Sequence, residues 1–302
     1  MKTIDVSNLT QEQLDGYFVL SAEHDDGLAL FWLEAGASIE DNEEALLYAI
    51  ENDNEALVDK LLKLNVDVNA YVDGKPLWFY SLSDMKYFNK FLELGIDVNA
   101  KGHDGTTALE IVYFKNNQEL ADKLIEMGID VNELMSKEMT LITFNMIHHY
   151  HRDTDVCIKW FDKLINAGAD INKNSIGKYG DPVIYWLLTM GYEELIDKAL
   201  EAGIDVNCVA PRNNKHVLMR FDEYDTIEKL IRYGADVNAQ DIHGRTVLMY
   251  HILGENKRCV ELLLKNGADP RIADENGMTP LNQARMTGEK EIIKLIKQYL
   301  KK

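Results

Sequence analysis

The chain has 302 residues, 46% of them hydrophobic and 27% charged, with 5 prolines, which excludes wholesale disorder. Its 51 Asp and Glu against 32 Lys and Arg give a net charge of -19, which opposes binding to nucleic acid or to an anionic membrane. Cys157, Cys208 and Cys259 are isolated, show no CxxC spacing and favour a reducing, cytoplasmic setting. The sequence shows no secretory signal and no run of 18 apolar residues, so we expect no membrane span.

The charge is distributed unevenly along the chain. Residues 1–60 contain 15 Asp and Glu and two Lys, a net -13, whereas residues 251–302 carry ten Lys and Arg against seven Asp and Glu, a net +3. An acidic end of this kind keeps a terminal segment soluble or attracts a basic partner, and both interpretations stay open.

A ten-residue phrase recurs through the chain, in which an apolar helix ends at a glycine and is followed by Asp-Val-Asn or a close variant. The pattern predicts a left-handed cap at the helix C-terminus, because glycine enters positive φ without a Cβ penalty. Asn65 replaces the glycine once, and Asn is the next most tolerant residue there. The predicted cap glycines are Gly36, Gly95, Gly128, Gly168, Gly203, Gly234 and Gly267.

Another helix precedes each capped helix and carries one apolar anchor residue per repeat. The predicted anchors are Tyr17, Leu46, Leu77, Leu109, Leu141, Val183, Leu218, Leu248 and Leu281. Side-chain oxygens at the N-cap position favour a helix start. The predicted caps are Thr10 (in a capping box with Gln13), Thr107, Thr246 and Thr279, whereas Lys75, Met139 and His216 stand at the same position as poor caps.

This combination of helix, glycine cap, DVNA phrase and next helix resembles the ankyrin repeat. The resemblance is carried by GADVNAQDIHGRTVL (234–248) and by ENGMTPLNQAR (275–285) followed by GEKEIIKLI (288–296), and it covers nearly the whole chain. It implies an all-α, ankyrin-type solenoid of about nine repeats, with paired antiparallel helices and β-hairpin-like fingers. We expect one domain over 1–302, with a leader at 1–13, repeats one to eight over 14–278 and a C-terminal capping repeat over 279–302.

The resemblance also assigns two recurring positions. The His of the family's TPLH motif is absent from every copy, which puts its usual hydrogen bonds in doubt. An asparagine in each finger is implied to brace the loop, and these residues are Asn69, Asn99, Asn132, Asn172, Asn207 and Asn238.

In the ankyrin family, finger tips and the exposed side of the first helices line the binding surface, which implies a non-enzymatic protein-binding module. Mapped onto the middle repeats, that surface holds large apolar residues typical of binding hot spots, although the same residues can instead turn inward and fill the core. Acidic residues before the second repeat favour a basic partner. The candidate partner-binding residues are Tyr71, Trp78, Tyr80, Leu82, Tyr113, Phe114, Met146, Leu188, Glu40, Asp41, Glu43 and Glu44.

An insertion near HHYHRDTDVC lengthens the fifth repeat. His148 and His151 can share a helix face with Asp155, which is plausible metal-ligand spacing, but a solvated turn explains the same residues and no second cluster completes a ligand set. We therefore assign no catalytic residue, metal or cofactor, and we expect a monomer that binds another protein. Two alternatives stay open: a dedicated inhibitor or immunity protein masking a basic toxin or nuclease, and a metal-dependent or regulatory enzyme using His148, His149 and His151.

Overall fold

The computed structural model describes residues 6–24, 27–38, 43–64, 66–135, 139–148, 153–173, 182–211 and 214–301. The chain divides into two compact units, Met1–Lys137 and Glu138–Lys302. The described parts are mostly helical, and their short strands belong to fingers between helix pairs. The fold is thus all-α and ankyrin-type, as the sequence predicts.

The first unit contains four helix pairs in its described residues. One finger forms a two-stranded antiparallel ribbon, β1 (Tyr71–Val72) and β2 (Lys75–Pro76), with Tyr71 opposite Pro76. In chain order the pairs are α1 (Gln11–His24) with α2 (Ala29–Glu34), α3 (Glu43–Glu51) with α4 (Glu55–Lys63), a 3-10 helix (Leu77–Ser83) with α5 (Met85–Leu92), and α6 (Ala108–Phe114) with α7 (Gln118–Glu126).

The second unit contains five helix pairs in its described residues. Its third pair opens with a 3-10 turn instead of an α-helix. In chain order the pairs are α8 (Leu141–His148) with α9 (Thr154–Asn166), α10 (Val183–Met190) with α11 (Glu193–Glu201), the 3-10 turn (Val217–Met219) with α12 (Tyr224–Arg232), α13 (Val247–Leu253) with α14 (Lys257–Lys265), and α15 (Pro280–Thr287) with α16 (Lys290–Tyr299).

The glycine caps are confirmed. All seven predicted cap glycines have positive φ, from 75° at Gly95 to 104° at Gly36, as a left-handed helix end requires. Asn65 lies outside the described residues.

The helix starts agree with the sequence except at two positions. The Thr107, Thr246 and Thr279 hydroxyls accept hydrogen bonds from backbone N–H groups in the first turn. His216, predicted to be a poor cap, is a cap, because its Nδ1 accepts from the Leu218 N–H at 3.2 Å. Thr140, one residue after the predicted Met139 position, accepts from the Thr143 N–H at 3.4 Å.

The first unit also shows the predicted capping box and one misplaced anchor. The Thr10 N–H donates to Gln13 Oε1 at 3.0 Å, and the Gln13 N–H donates to Thr10 Oγ1 at 3.3 Å. Tyr17 is 43% exposed, whereas its neighbour Phe18 is completely buried and fills the anchor position. The remaining anchors are buried, apart from the half-buried Leu281.

The finger asparagines join successive repeats. In the first unit, Asn69 Nδ2 donates to the Gly95 carbonyl at 3.2 Å and its Oδ1 accepts from the Asp97 N–H at 2.9 Å. In the second unit, Asn207 Nδ2 and Oδ1 make the same pair of bonds to Gly234 and Asp236, at 3.0 and 2.7 Å. Asn99, Asn172 and Asn238 make the same pair of bonds, so these asparagines satisfy backbone groups at the cap of the next repeat, which explains why Asn recurs at this position.

The histidine insertion does not form one continuous helix with Asp155. Helix α8 ends at His148, and α9 begins at Thr154 after Asp153, whose extended backbone and side chain cap the new helix through the Val156 N–H. Asp155 therefore lies on the following helix, which corrects the predicted shared face. His149 and His151 lie outside the described residues.

Candidate functional site

A groove of about 360 Å³ crosses the first helices of three neighbouring repeats in the first unit. Its apolar residues are Ile50 of α3, Phe79 of the 3-10 helix and Ile111 of α6. Glu51 at the end of α3, Tyr80 of the 3-10 helix and Lys115, the residue after α6, also line it. With Lys75 also in the lining, the groove carries charges of both signs around an apolar floor. This inner-helix groove is therefore suited to an extended segment with apolar and charged side chains.

Two tyrosines lie near the α3 side of the inner-helix groove and share acidic neighbours. Burial raises the pKa of Tyr48, and the charges of Glu44, Glu23, Asp73 and Glu51 raise it further. Burial likewise raises the pKa of Tyr80, together with Asp73 and Glu51. The Tyr80 hydroxyl donates to the Val72 carbonyl at 3.3 Å, which fixes the ring against the finger.

We call Tyr48, Tyr80, Glu44, Glu51 and Asp73 the tyrosine–carboxylate cluster. Its three carboxylate residues are exposed, and no described lysine or arginine lies within 4.0 Å of their carboxylate oxygens. Two half-buried phenols therefore lie beside negative charges that the described part of the chain leaves unbalanced.

Carboxylates on the second helices of the same unit behave differently. Lys86 Nζ lies 2.8 Å from Asp53 Oδ1, and Lys90 Nζ lies 3.0 Å from Glu55 Oε1 and also contacts Asp59. These pairs join α4 or the turn before it to α5. Acidic residues are thus paired where repeats stack through their second helices and unpaired beside the inner-helix groove.

The structure separates the predicted binding residues into surface and core. Tyr71 is 47% exposed, its hydroxyl donates to the Lys101 carbonyl at 2.7 Å, and its ring stacks on His103 at 5.1 Å. Phe114 is 54% exposed at the end of α6, and Tyr80 is half-buried. These three side chains are available to a partner.

The other five apolar candidates are core residues, so the expectation that they line a groove is corrected. Each is buried, and Leu188 lines a small cavity together with Ile196 and Leu230. The buried candidates are Trp78, Leu82, Tyr113, Met146 and Leu188.

The acidic candidates begin the second repeat. Glu43 and Glu44 stand in the first turn of α3, where negative charge favours the helix N-terminus, and Glu44 is exposed. Glu40 and Asp41 lie outside the described residues.

Of the residues that line the inner-helix groove, the sequence pointed to Tyr80 but not to the apolar floor. It followed the position five residues after each anchor leucine, as in Leu82 and Phe114. The groove instead uses the position two residues after the anchor, Phe79 and Ile111, with Ile50 in the neighbouring repeat. A recurring apolar or aromatic residue at that position, also seen in Tyr48, was the available signal.

The described residues offer little to metal or nucleophilic chemistry. They contain no group of three or more His, Cys, Asp or Glu arranged to hold a metal ion. Burial raises the pKa of the Cys157 thiol to about 11 and that of Cys208 to about 12, so both stay protonated and unreactive at neutral pH.

Comparison with known proteins agrees with this architecture. The family model for ankyrin repeats (3 copies) matches residues 215–301. The chain is 27% identical over 210 residues to ankyrin repeat protein L271 of Acanthamoeba polyphaga mimivirus, covering 67% of this chain and 26% of that protein. It is 26% identical over 253 residues to the ADP-ribosylation factor GTPase-activating protein AGD2 of Arabidopsis thaliana, covering 81% of this chain and 27% of that protein.

A solved structure gives the same result for the fold. The ankyrin repeat domain of Bcl-3 is similar with a TM-score of 0.57 and 19% identity, covering 75% of this chain and 100% of that domain. The family match over residues 215–301 and the fold together support an ankyrin-repeat architecture, and ankyrin repeats are general protein–protein interaction modules. It spans about a quarter of the curated relatives above, so the activity named for AGD2 belongs to that protein.

The helices of the described ranges are short. The longest, α1, has 14 residues, and none of them combines the length and apolar character needed to cross a bilayer.

Proposed function

We propose that this chain binds a partner protein through the inner-helix groove of its first unit. The observation that carries the proposal is the groove over three neighbouring first helices, whose floor is formed by the buried side chains of Ile50 and Phe79 and the half-buried side chain of Ile111. An extended partner segment can place apolar side chains there, and such buried anchors supply most of the affinity of an interface.

Exposed aromatic residues on the bordering elements extend this surface. Phe114 follows Ile111 by three residues on α6, and Tyr71 lies on the finger whose next residue, Val72, accepts the Tyr80 hydrogen bond. In this proposal the protein is a non-enzymatic, cytoplasmic monomer without a cofactor, and Tyr71 and Phe114 contact the partner beside the groove.

A second candidate function is inhibition of a basic protein by masking its surface. The uneven charge favours it: residues 1–60 carry a net -13, and Glu44, Glu51 and Asp73 have no cationic partner among the described residues. A basic toxin or nuclease is the class of target that this charge suits.

Differential capture tests the inner-helix groove. Full-length wild type, Ile111→Glu and Leu94→Glu are immobilised and exposed to native lysate, and retained proteins are identified by mass. Leu94 is 42% exposed on the turn after α5, outside the groove lining, so Leu94→Glu is a matched control. We expect a protein retained by wild type and Leu94→Glu to lose at least about 2 kcal/mol of affinity for Ile111→Glu.

The melting temperature of each variant is measured first, so that binding is compared only among folded proteins. A partner that binds folded Ile111→Glu as tightly as wild type contradicts the proposed groove.

A further inference from the structure

We infer that the tyrosine–carboxylate cluster receives an arginine or lysine side chain of the partner segment, next to an apolar side chain seated in the inner-helix groove. This inference rests on the proposed function and adds the chemistry of the partner at one end of the groove. The occupant is a peptide segment of a protein, with a cationic residue beside an aliphatic or aromatic one.

The charged and apolar surfaces are continuous. Glu51 and Tyr80 belong both to the cluster and to the lining of the groove. A ligand that covers Phe79 and Ile50 therefore brings its neighbouring side chains to Glu51. Lysine and arginine suit this position because their aliphatic stems cover apolar surface while the charged head reaches the carboxylates.

The carboxylates of the cluster are complementary in charge to a cationic side chain of the partner. Glu44, Glu51 and Asp73 are exposed, and no described cation pairs with them, although Lys86 and Lys90 pair with the acidic residues of α4 and its preceding turn. Like charges held close together disfavour the compact state. A partner cation is attracted by these unpaired carboxylates, so a cationic side chain is favoured at the cluster over an acidic one.

The two tyrosine rings also favour a cationic side chain. Phenol rings attract cations through their faces, and the attraction increases as water is excluded. Tyr48 and Tyr80 are half-buried beside the same two carboxylates, Glu51 and Asp73. An ammonium or guanidinium group there meets negative charge and aromatic surface together, which neither an acidic nor a purely apolar side chain can use.

The two lysines in the lining lie in different places. Lys75 begins β2, two residues from Asp73 of the cluster, whereas Lys115 directly follows α6. We expect a neutral or acidic residue of the segment to face Lys115, and the cationic residue to face Glu51.

Random dodecapeptides displayed on phage provide the probe. They are selected on full-length wild type at low salt, and one enriched peptide is synthesised for affinity measurements. We expect enrichment of Lys or Arg beside an aliphatic or aromatic residue, and affinity that falls as salt is raised.

The test variant is Glu44→Gln with Glu51→Gln and Asp73→Asn. Its control is Glu93→Gln with Glu119→Gln and Glu126→Gln, which removes three exposed charges at the end of α5 and on α7. We expect the test variant to bind the selected peptide about tenfold more weakly and the control to bind within about twofold of wild type.

The outcomes separate this inference from the proposed function. If selected peptides lack Lys and Arg, or if the test variant binds them as tightly as wild type, the inference is wrong. If Ile111→Glu still abolishes binding in that case, the inner-helix groove remains the binding site and only the cationic subsite fails. If Ile111→Glu also binds normally, the proposed function itself is overturned.

Discussion

Tyrosines on first helices have opposite surroundings in the two units. In the first unit, Tyr48 lies among carboxylates that have no described cationic partner. In the second unit, Tyr250 lies between cations, with Lys215 Nζ 4.8 Å and Arg245 Cζ 5.1 Å from its ring centre. Both tyrosines stand two residues after an anchor leucine, so the same repeat position serves two different environments.

In the second unit, the charged groups beside Tyr250 are paired with each other. The side chain of Asp241 is 1% exposed and accepts from the Tyr250 hydroxyl at 2.8 Å and from Arg245 Nη2 at 2.8 Å. Burial alone raises the pKa of Asp241, but hydrogen bonds from Tyr250 and Arg245 outweigh it and hold that pKa below its usual value. The carboxylate beside Tyr250 is therefore paired within its own repeat, whereas the carboxylates near Tyr48 have no described cationic partner.

The largest expected difference between the two environments comes from neutralising one aspartate in each. We expect Asp241→Asn to lower the free energy of unfolding by about 3 kcal/mol. Asp241 Oδ1 accepts from the backbone N–H groups of His243 and Arg245, and Oδ2 accepts from the side chains of Arg245 and Tyr250, so the NH2 group of Asn would face one of these sets of donors. Asp73→Asn is the matched control: Asp73 is exposed at φ 49°, and Asn tolerates that conformation.

Urea denaturation followed by circular dichroism measures both changes. Asp73→Asn should stay within about 0.5 kcal/mol of wild type. Equal destabilisation by the two substitutions would show that the carboxylate at Asp73 is structural too, and the contrast between the units would be lost.

The repeat scaffold could be predicted from the sequence because its signals are local. A cap glycine is required by the backbone φ of that one residue, and a Thr cap needs only the next three residues. Gly203 and Thr246 therefore identify their helices without any knowledge of neighbouring repeats. The cap at His216 was not predicted, because Nδ1 of histidine accepts a hydrogen bond only when the ring is neutral. Burial lowers the pKa of His216 and so favours the neutral ring, and burial is not visible in the sequence.

The inner-helix groove could not be located from the sequence alone. Whether Trp78 or Phe79 faces the groove depends on the rotation of a short helix, and here that helix is 3-10 instead of α. Its three residues per turn place successive side chains differently from the assumed 3.6. Exposure also depends on the neighbouring repeats, which bury Leu82 and Tyr113 and leave Phe114 uncovered.

A smaller effect tests whether the two units share the same scaffold. A Cβ added at Gly95 or at Gly203 meets no atom within 4 Å, so substitution by Val introduces backbone strain without a clash. We expect Gly95→Val in the first unit and Gly203→Val in the second each to cost about 2 kcal/mol in the free energy of unfolding, measured by urea denaturation. An unaffected Gly203→Val protein would show that the left-handed cap is not needed there.

Near neutral pH the smallest expected effect is an acid sensitivity confined to the second unit. Burial lowers the pKa of His216 and of His251 from 6.5. It outweighs the charges of Asp236 and Asp205 at His216, and the hydrogen bond with the Leu218 carbonyl and the charge of Asp222 at His251, all of which raise the pKa. The described histidines of the first unit, His24 and His103, are exposed. Protonation of histidine therefore lowers the free energy of unfolding more in the second unit than in the first.

The sign follows from proton linkage. Both histidines have lower pKa values in the folded state than the 6.5 of the unfolded chain, so the unfolded state binds more protons as pH falls below 6.5. Their stabilising contribution is complete above that pH and is lost as pH falls through the folded-state pKa values. The Asp241 carboxyl, whose pKa lies below 3.8, acts only in stronger acid.

Tryptophan fluorescence reports on the units separately, because Trp32 and Trp78 lie in the first and Trp160 and Trp186 in the second. We expect the second unit to lose about 1 kcal/mol between pH 7 and pH 6 in a variant that keeps only its own tryptophans. His216→Asn with His251→Gln is the control, since Asn retains an oxygen that caps Leu218 and neither new side chain titrates. The free energy of unfolding of the control should stay constant between pH 7 and pH 6. A decrease in the control as large as that of the parent variant would assign the acid sensitivity to other groups.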